Sequence, residues 1–291
     1  MVTRAKLIAR RLLDGPLPPA PTVSQPSFAE RLAAGYTRPY RPIESTVEPD
    51  VLQALFTRTQ EQWRKLGETE PHWSVLTHDD FRADRLDAAA EAAFYETGRG
   101  NADLIELFEA RAGVHLGRGV CLELGCGVGR ITRHLAAKFE RVVAVDISPG
   151  NIAVAKRQLA DAGVGNVELV LLETIEAVAA LPPFDVLYSM IALQHNSPPV
   201  QAYVLDALLG KIRPGGGALF QVVSDLPGYA FSAADYLNSP DSVMEIHALP
   251  QPQVLARLRA NGLTIHEVAM DAWLDAYGSN TFFATKPVLG D

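Results

Sequence analysis

Several residue types that mark particular protein classes are scarce in this chain. Only two of its 291 residues are cysteine, Cys121 and Cys126, and we expect both to be small buried residues because one pair cannot form a disulfide framework. No stretch of 18 apolar residues occurs, so we expect no membrane-spanning helix. The histidines are scattered, and neither His-x₃-His nor Cys-x₂-Cys spacing occurs, so we expect no metal site. The low cysteine count favours a reducing, cytoplasmic location.

Basic residues are also in the minority. Lys and Arg total 26 against 34 Asp and Glu, which gives a net charge of −8. A protein that wraps nucleic acid needs a basic surface. The charge balance therefore argues against a nucleic-acid partner.

The first 49 residues differ in composition from the rest of the chain. Residues 1–13 carry four basic side chains and no acid, with apolar residues at helical spacing. They predict a basic helix that docks on its own domain or on a partner subunit, and binding to a membrane surface is the alternative. Residues 14–49 contain eight of the 20 prolines and predict an extended arm, through which the chain can form a homo-oligomer.

Two patterns follow the arm. Residues 50–113 have apolar residues at helical spacing, and we expect them to form a helical cap over the open end of the next domain rather than an independent domain. Over residues 114–291 strand and helix patterns alternate, which is typical of an α/β domain whose largely parallel sheet is covered by helices on both faces. The seven predicted strands are residues 120–124, 141–146, 166–172, 184–190, 218–223, 263–270 and 280–285.

The first predicted strand runs directly into a glycine-rich turn. Gly125, Gly127 and Gly129 occupy alternate positions, and a helical apolar pattern resumes after them. Glycine suits such a turn because it adopts positive φ and lets a ligand approach the backbone. The second strand ends in Asp146, 21 residues after Gly125, where a carboxylate can accept hydrogen bonds from both ribose hydroxyls. The turn and the acid together predict a pocket for a nucleoside cofactor.

The spacing of the glycines separates two kinds of cofactor. A dinucleotide fingerprint has its third glycine three positions after the second, where this chain has Arg130. The pattern Glu-x-Gly-x-Gly-x-Gly, with Asp146 behind it, instead resembles the first two motifs of class I S-adenosylmethionine (SAM) dependent methyltransferases. The turn at 211–217 and the segment 261–263 are also similar to that family. The resemblance covers about residues 95–286 and implies a Rossmann-like fold of seven strands, the last two antiparallel, with SAM as cofactor.

The resemblance also implies which residues contact SAM. The three glycines, with Cys126 between them, are expected along its amino-acid part, and Glu123 is expected to order the turn or to meet the SAM amino group. Asp146 is expected at the ribose. The further implied contacts are Ile147 beside Asp146, Glu173 or the backbone amide of Thr174 at the adenine, Ser189 and Met190 beneath the methionine part, and Tyr95 and Gly98 above it. For Glu173 a helix-capping role is the alternative.

Two histidines are candidate general bases. His195 lies in the segment 189–199 after the fourth strand, which resembles the family's Leu-x-His sequence, and His247 lies after the fifth strand. A neutral imidazole can take a proton from a hydroxyl as the methyl group arrives, but each histidine can equally be a packing or capping residue. The resemblance implies methyl transfer to an oxygen, or a nitrogen, of a small-molecule or sugar-like acceptor, with S-adenosyl-L-methionine as donor.

Two other functions stay open from the sequence. A SAM-binding protein without catalysis, which uses its N-terminal arm for assembly, would carry the same motifs. An NAD-dependent oxidoreductase is disfavoured because Arg130 stands where the third glycine is needed.

Overall fold

A computed structural model describes residues 42–271 and 278–288, together with Ser27 and Ala29. The predicted basic helix and most of the predicted proline-rich arm lie outside the described residues. The centre of the described part is one seven-stranded sheet. Its strands, numbered along the chain, are β1 Val120–Leu124, β2 Arg141–Asp146, β3 Val167–Leu171, β4 Phe184–Ser189, β5 Ile212–Asp225, β6 Thr264–Met270 and β7 Gly278–Thr285.

The strand order is β3-β2-β1-β4-β5-β7-β6. Neighbours from β3 to β5 are parallel, and β7 is antiparallel to both β5 and β6. The predicted Rossmann-like sheet with an antiparallel final pair is therefore confirmed. Because the chain winds from β1 to β2 and β3 on one side and then passes to β4 on the other, a crevice forms at the carboxyl ends of β1 and β4.

Alternate strand residues enter two apolar cores, one on each face of the sheet. Leu122 and Val143 belong to one core, and their chain neighbours Cys121 and Val142 belong to the other. All four are buried. This period of two is what a sheet covered by helices on both faces requires. Both cysteines are buried free thiols, which agrees with the prediction.

Ten helices accompany the sheet within the described residues. They are α1 Pro49–Thr69, α2 Pro71–Val75, α3 Ala88–Ala102, α4 Leu104–Ala112, α5 Thr132–Leu135, α6 Pro149–Asp161, α7 Ala177–Ala180, α8 Pro198–Leu209, α9 Ala233–Asn238 and α10 Gln251–Ala260. A short 3₁₀ turn, Leu193–His195, follows β4. In this part of the chain, no helix combines the length and the apolar character needed to cross a bilayer.

Strand β5 is longer than the sequence predicts. Most of the turn expected at residues 211–217 belongs to the strand, which begins at Ile212. A Cβ on Gly216 would lie 2.1 Å from the Asp185 carbonyl oxygen, and one on Gly217 would lie 2.6 Å from the Ala284 carbonyl oxygen. These glycines therefore permit close approach of neighbouring strands instead of ending the strand, and that role depends on contacts that a local pattern does not carry.

Candidate active site

A cavity of about 840 Å³ opens at the carboxyl ends of β1, β2 and β4. The glycine turn and the end of β2 form one side of it. The other walls come from α1, from residues 74–78 and Phe81, from residues 190–196, and from Met244 and Ile246 after β5. The cavity thus lies at the crevice created by the strand order, where open α/β sheets bind their ligands.

The glycine turn has the left-handed backbone that the sequence predicts. Gly125, Gly127 and Gly129 have φ values of 78°, 55° and 83°. A Cβ on Gly125 would lie 2.3 Å from the Cβ of Ala192, and one on Gly127 would lie 2.6 Å from a methyl group of α2. Side chains are therefore excluded both by positive φ and by close neighbours. Gly125 and Gly127 line the cavity, whereas Gly129 lies behind it against α6.

Asp146 ends β2 and faces the cavity. Its Oδ2 accepts a 2.8 Å hydrogen bond from the Gly127 amide, and its Oδ1 accepts a 2.8 Å hydrogen bond from the Ser148 amide. Burial raises the pKa of this carboxyl, and the backbone hydrogen bonds oppose that effect. The two amides fix the carboxylate in place, and it keeps lone pairs that can accept from hydroxyl donors in the cavity. Ile147, the next residue, lines the same wall.

Glu123 lies inside β1, is 2% exposed and lines the cavity beside Cys126. Its Oε2 has no hydrogen-bond partner among the described residues. Burial raises the pKa of this carboxyl to about 8. A side-chain interaction with the Thr132 hydroxyl and the charge of Arg130 oppose the effect, and Asp146 adds to it. A buried carboxyl with an unpaired oxygen can stabilise a cation in the cavity, and the cation in turn favours the ionised carboxylate.

His195 faces the cavity from the turn after β4. Its Nδ1 lies 2.9 Å from the carbonyl oxygen of Glu245, and its ring meets the Trp63 ring edge-on at a centroid distance of 5.0 Å. Burial lowers the pKa of His195 to about 4, although the hydrogen bond to Glu245 opposes the shift. The ring is therefore neutral at pH 7 and can accept a proton.

His247, the second candidate base, does not line the cavity. Its Nδ1 lies 2.8 Å from the Tyr229 hydroxyl, and the rings of Tyr229, Phe231 and Tyr236 enclose it. Its Nε2 lies 3.6 Å from a carboxylate oxygen of Glu245. His247 therefore occupies a packing position, which the sequence leaves open as the alternative to catalysis. Of the two candidate bases, His195 is the one that lines the cavity.

Some residues expected at the cofactor lie at or beyond the edge of the cavity. The Ser189 hydroxyl donates to a β1 carbonyl oxygen at 3.0 Å and does not line the cavity, whereas Met190 does. Glu173 and Thr174 are exposed, and Leu172 just before them is the residue of that strand end that lines the cavity. The adenine contact expected from Glu173 or Thr174 therefore stays a prediction.

Tyr95 and Gly98 lie behind the glycine turn and not over the cavity. The buried Tyr95 hydroxyl donates to the Val128 carbonyl oxygen at 3.2 Å. A Cβ on Gly98 would lie 2.0 Å from the carbonyl oxygen of Arg130. Both residues hold α3 against the turn, and this placement does not favour the prediction that they close over the cofactor.

The sequence does not predict which apolar residues form the walls of the cavity. Phe56 and Trp63 of α1 line it together with Met244 and Ile246. The spacing of seven residues on α1 is the available signal, and it equally fits ordinary core packing. Ile191 and Met244, also in the wall, have φ values of 58° and 56°, which are uncommon for such side chains. Across residues 42–271 and 278–288, no three His, Cys, Asp or Glu side chains cluster as metal ligands would.

Comparison with known proteins shows which class the cavity-forming residues resemble. Residues 121–216, which build the cavity from β1 to the start of β5, match the family model described as a methyltransferase domain. The match and the seven-stranded fold together make this part of the chain similar to SAM-dependent methyltransferases. A ubiquinone biosynthesis O-methyltransferase from Azotobacter vinelandii is 31% identical over 155 residues, which are 50% of this chain and 65% of the relative. The chain thus covers less than two thirds of that relative's length.

Solved structures share the fold at low sequence identity. A magnesium protoporphyrin IX methyltransferase from Synechocystis PCC 6803, with bound SAH, has a TM-score of 0.53 at 15% identity and covers 78% of this chain and 99% of its own. The cyclase SpnF has a TM-score of 0.53 at 15% identity and covers 86% of this chain and 100% of its own. At such identities the likeness concerns the fold alone.

The residues of the cavity fit SAM, the cofactor that the sequence predicts. Asp146 offers lone pairs at a position suited to ribose hydroxyls, and Glu123 offers a negative charge to a cationic ligand. The glycine turn keeps side chains away from the same space. The fit thus depends on the Asp146 lone pairs, the Glu123 charge and the glycine turn.

Proposed function

We propose that the chain transfers a methyl group from SAM to a hydroxyl oxygen of a small-molecule acceptor. One observation carries this proposal: a single cavity is lined by Glu123 with its unpaired oxygen, by the fixed carboxylate of Asp146 and by the neutral imidazole of His195. The first two suit a cationic nucleoside donor, and the third suits a hydroxyl that must lose its proton.

The residues divide the work of the reaction between them. Bound SAM supplies a methyl group on a positively charged sulfur. Asp146 accepts hydrogen bonds from the ribose hydroxyls, and the charge of Glu123 stabilises the donor's cationic groups. His195 accepts the acceptor's proton at Nε2, because its Nδ1 already donates to the Glu245 carbonyl oxygen. The apolar walls limit the access of water to the reacting groups.

Oxygen is favoured over nitrogen as the acceptor atom. The relative from A. vinelandii is named an O-methyltransferase, and the histidine at the cavity is a neutral base. An amine arrives at neutral pH as an ammonium ion, and an apolar wall disfavours that charge. The wall residues Phe56, Trp63 and Met244 also offer few polar partners to a sugar, so a less polar small molecule is the better candidate.

Calorimetric titration with SAM tests the cofactor assignment. We expect SAM to bind the intact protein and Asp146→Ala to weaken binding by roughly 1–3 kcal/mol, the value of hydrogen bonds to a charged group. Asp161→Ala, on the exposed end of α6, is the matched control and should keep the wild-type affinity. Unchanged affinity in Asp146→Ala would remove Asp146 from the site.

Turnover is measured separately, as S-adenosylhomocysteine released from SAM in the presence of a panel of hydroxylated acceptors. We expect release with at least one acceptor and its loss in His195→Ala. The second candidate function is SAM binding without methyl transfer, and the likeness to a cyclase shows that this fold supports other reactions. SAM binding without release across the whole panel would favour that candidate.

Of the three candidate functions, that of an NAD-dependent oxidoreductase has the least support. The Arg130 guanidinium stands at the third-glycine position and donates to Asn101 Oδ1 at 2.8 Å and to Thr97 Oγ1 at 3.2 Å, so the side chain is held inside the fold. Titration with NADH, followed by its fluorescence, should give no binding. Saturable binding of NADH at the SAM site would revive this function.

Other parts of the sequence interpretation stay predictions. They are the domain boundaries at residues 49 and 113, the arm as a route to a homo-oligomer, the cytoplasmic location and the absence of a nucleic-acid partner. Size-exclusion chromatography of the full chain beside a chain starting at residue 42 is the direct measurement for the arm.

A further inference from the structure

A chain of buried amide groups leads from the middle of the sheet to His195. Gln221 lies in β5 and is fully buried. Its Oε1 accepts from the Ile191 amide at 3.2 Å, and its Nε2 donates to Gln194 Oε1 at 2.9 Å and to Ser279 Oγ at 2.6 Å. A glutamine in the interior of a sheet costs free energy unless its amide is paired, and here both ends of the amide are paired.

The orientation of both glutamines follows from one backbone amide. The Ile191 N–H can only donate, so the atom of Gln221 that faces it is the oxygen, and the opposite atom is the Nε2 donor. Gln194 must then present its oxygen to Gln221 and its own Nε2 to the other side. That Nε2 lies 3.4 Å from the Nε2 of His195.

The same reasoning fixes the tautomer of His195. The Gln194 Nε2 can only donate, so the His195 Nε2 carries a lone pair. The Glu245 carbonyl oxygen can only accept, so the His195 Nδ1, 2.9 Å away, carries the proton. Two independent hydrogen bonds thus select one neutral tautomer, and both Gln194 and His195 line the cavity. The lowered pKa of His195 agrees with a ring that stays neutral at pH 7.

The charged groups near His195 leave this assignment intact. His247, in the adjoining segment, lowers the pKa of His195 further. The side chain of Glu245 is engaged elsewhere, with the Tyr236 hydroxyl and with the Arg58 guanidinium of α1 at 3.7 Å. Its carbonyl oxygen is therefore the group of that residue that meets the His195 ring.

We propose that Gln194 and His195 together bind the acceptor hydroxyl, and that Gln221 positions Gln194 for this task. The inference rests on the proposed methyl transfer and adds two residues to it. Two nitrogens 3.4 Å apart leave room for an oxygen about 2.9 Å from each, which is an ordinary hydrogen-bond distance. The entering hydroxyl replaces the long direct hydrogen bond between Gln194 and His195. Its hydrogen then points to His195 Nε2, one lone pair of its oxygen accepts from Gln194 Nε2, and the second lone pair is left for the methyl group.

The step balances within these groups and SAM. The remaining lone pair of the acceptor oxygen forms the new bond to the methyl carbon, while the carbon–sulfur bond breaks and its electron pair stays on sulfur. The hydroxyl proton moves to Nε2 of His195, whose ring becomes an imidazolium and then releases the proton to water. Gln194 keeps its protons and orients the oxygen. An ammonium group has no lone pair to offer, so the pair selects a hydroxyl.

Nitrogen NMR of the histidine rings tests the tautomer without an acceptor. In ¹⁵N-labelled protein with S-adenosylhomocysteine, we expect His195, assigned by comparison with His195→Gln, to show a protonated Nδ1 and an unprotonated Nε2 at neutral pH. In Gln194→Glu a carboxylate faces Nε2, so the titration midpoint should rise by about one pH unit or more. An Nε2–H tautomer in the wild type, or unchanged titration in Gln194→Glu, would overturn the inference.

Gln201→Met is the matched control for these spectra. Gln201 is a buried amide that donates to the Asn196 and His247 carbonyl oxygens in the same region, but it does not face the His195 ring. The variant should lose stability as any buried amide deletion does, and its His195 spectrum should stay that of the wild type. A changed tautomer in this control would assign the effect to general loosening of the loop and would overturn the specific role of Gln194.

Phenol and anisole form a matched pair of probes for the hydroxyl site, because anisole lacks the hydroxyl hydrogen. With S-adenosylhomocysteine present, we expect phenol to shift the His195 Nε2 resonance and to bind roughly tenfold more tightly than anisole. Gln194→Met keeps the side-chain length but removes the donor to the oxygen, which phenol and anisole share. The affinity for both probes should therefore fall roughly three- to tenfold, while SAM affinity stays at the wild-type value and the preference for phenol, which His195 Nε2 provides, remains. Absence of a phenol-specific shift in the wild type overturns the hydroxyl site. Failure of SAM to bind the wild type overturns the proposed function instead, so the two failures are distinguishable.

The positioning role of Gln221 is tested by coupling. If Gln221 acts through Gln194, Gln221→Met should lower the affinity for phenol, and the double variant should lower it no further than Gln194→Met alone. Because Gln221→Met also leaves the Ile191 amide without an acceptor, circular dichroism checks its fold first. Gln221→Glu, which keeps that acceptor but loses the donor to Gln194 when ionised, is the second variant. Independent, multiplicative losses would overturn the positioning role.

Discussion

At the scale of single residues, burial decides the chemistry of the two acids and the base that share the cavity. It raises the pKa of Glu123 and Asp146 and lowers the pKa of His195, because in each case the charged form loses its solvent. Backbone groups then separate their roles. Asp146 accepts hydrogen bonds from two backbone amides, His195 donates to a backbone carbonyl oxygen, and the Oε2 of Glu123 has no hydrogen-bond partner among the described residues.

Glu123 should make the stability of the free protein depend on pH. Its pKa is about 8 in the folded protein against 4.5 for the unperturbed group, so its contribution to stability is full below about pH 4.5 and is lost as the pH rises to about 8. Glu123→Gln lacks this titration. The Tm of the variant minus the Tm of the wild type should therefore increase from about pH 4.5 to about pH 8. Differential scanning calorimetry across the range measures this increase.

SAM affinity should depend on pH in the opposite direction. A cation binds the ionised carboxyl better, so wild-type affinity should rise from about pH 6.5 to about pH 8.5, while the affinity of Glu123→Gln stays nearly flat. Calorimetric titrations at each pH give both profiles, and the variant is the control for every other titrating group, Asp146 included. Parallel profiles in the two proteins would contradict the assignment to Glu123.

At the scale of elements, the turn after β1 packs against three neighbours: β2, α2 and the loop after β4. The amides of Gly125 and Cys126 donate to the carbonyl oxygen of Val145 in β2 at 2.8 and 3.0 Å. The Cα positions of the turn lie against α2 on one side and against Ala192 of the loop after β4 on the other. The turn, the acid at the end of β2 and the base after β4 are therefore held in one arrangement.

Gly125→Ala should destabilise the protein more than its backbone conformation alone requires. A left-handed conformation costs a residue with a Cβ roughly 1–2 kcal/mol, and the 2.3 Å contact with Ala192 adds an overpacking cost of roughly 1–3 kcal/mol. Gly113→Ala is the matched control, since its φ is 68° and nothing lies within 4 Å of the added Cβ. Urea unfolding should show the larger loss for Gly125→Ala. Equal losses of stability in the two variants would show that the loop after β4 moves away from the added Cβ at no cost in free energy.

At the scale of the whole molecule, the helical region before the sheet shares its core. Leu55 and Phe56 of α1 belong to the same buried cluster as Leu122 and Val143 of the strands. The C-terminal part of α1 also meets the start of α6 at Gly67, where the two backbones approach closely. Because α1 supplies a wall of the cavity as well, the stability of this contact and the shape of the site are linked.

Gly67→Ala tests how tightly α1 docks. Alanine in a helix interior is usually more stable than glycine by roughly 1 kcal/mol, but a Cβ on residue 67 would lie 2.1 Å from the Oγ of Ser148, which caps α6. We therefore expect a net loss of stability in thermal unfolding. Gly100→Ala in α3, with no atom within 4 Å of the added Cβ, should instead gain up to roughly 1 kcal/mol. A gain in both variants would contradict the docking of α1 described above.

The fold is well predicted from the sequence where the signal is local. The bounds of β1 and β2 are those that apolar runs and flanking turn residues predict, and the strand bounds elsewhere differ by a few residues. Strand β5 is the exception, because Gly216 and Gly217 serve a neighbouring strand and not a turn. Of the site, Gly125, Gly127 and Asp146 line the cavity as the motifs predict.

The sequence by itself determined the glycine turn, the acid at Asp146 and the order of strands and helices. Each depends on residue types a few positions apart, because positive φ selects glycine and a pleated strand selects alternation.

Only the tertiary structure decided that His195 and not His247 meets the cavity, and that Gln221 orients Gln194. These partners come from segments far apart in the chain, which meet when α1 and the segment after β5 pack onto the sheet. The direction of a hydrogen bond depends on which atoms face each other in space, and spacing along a sequence does not carry that information.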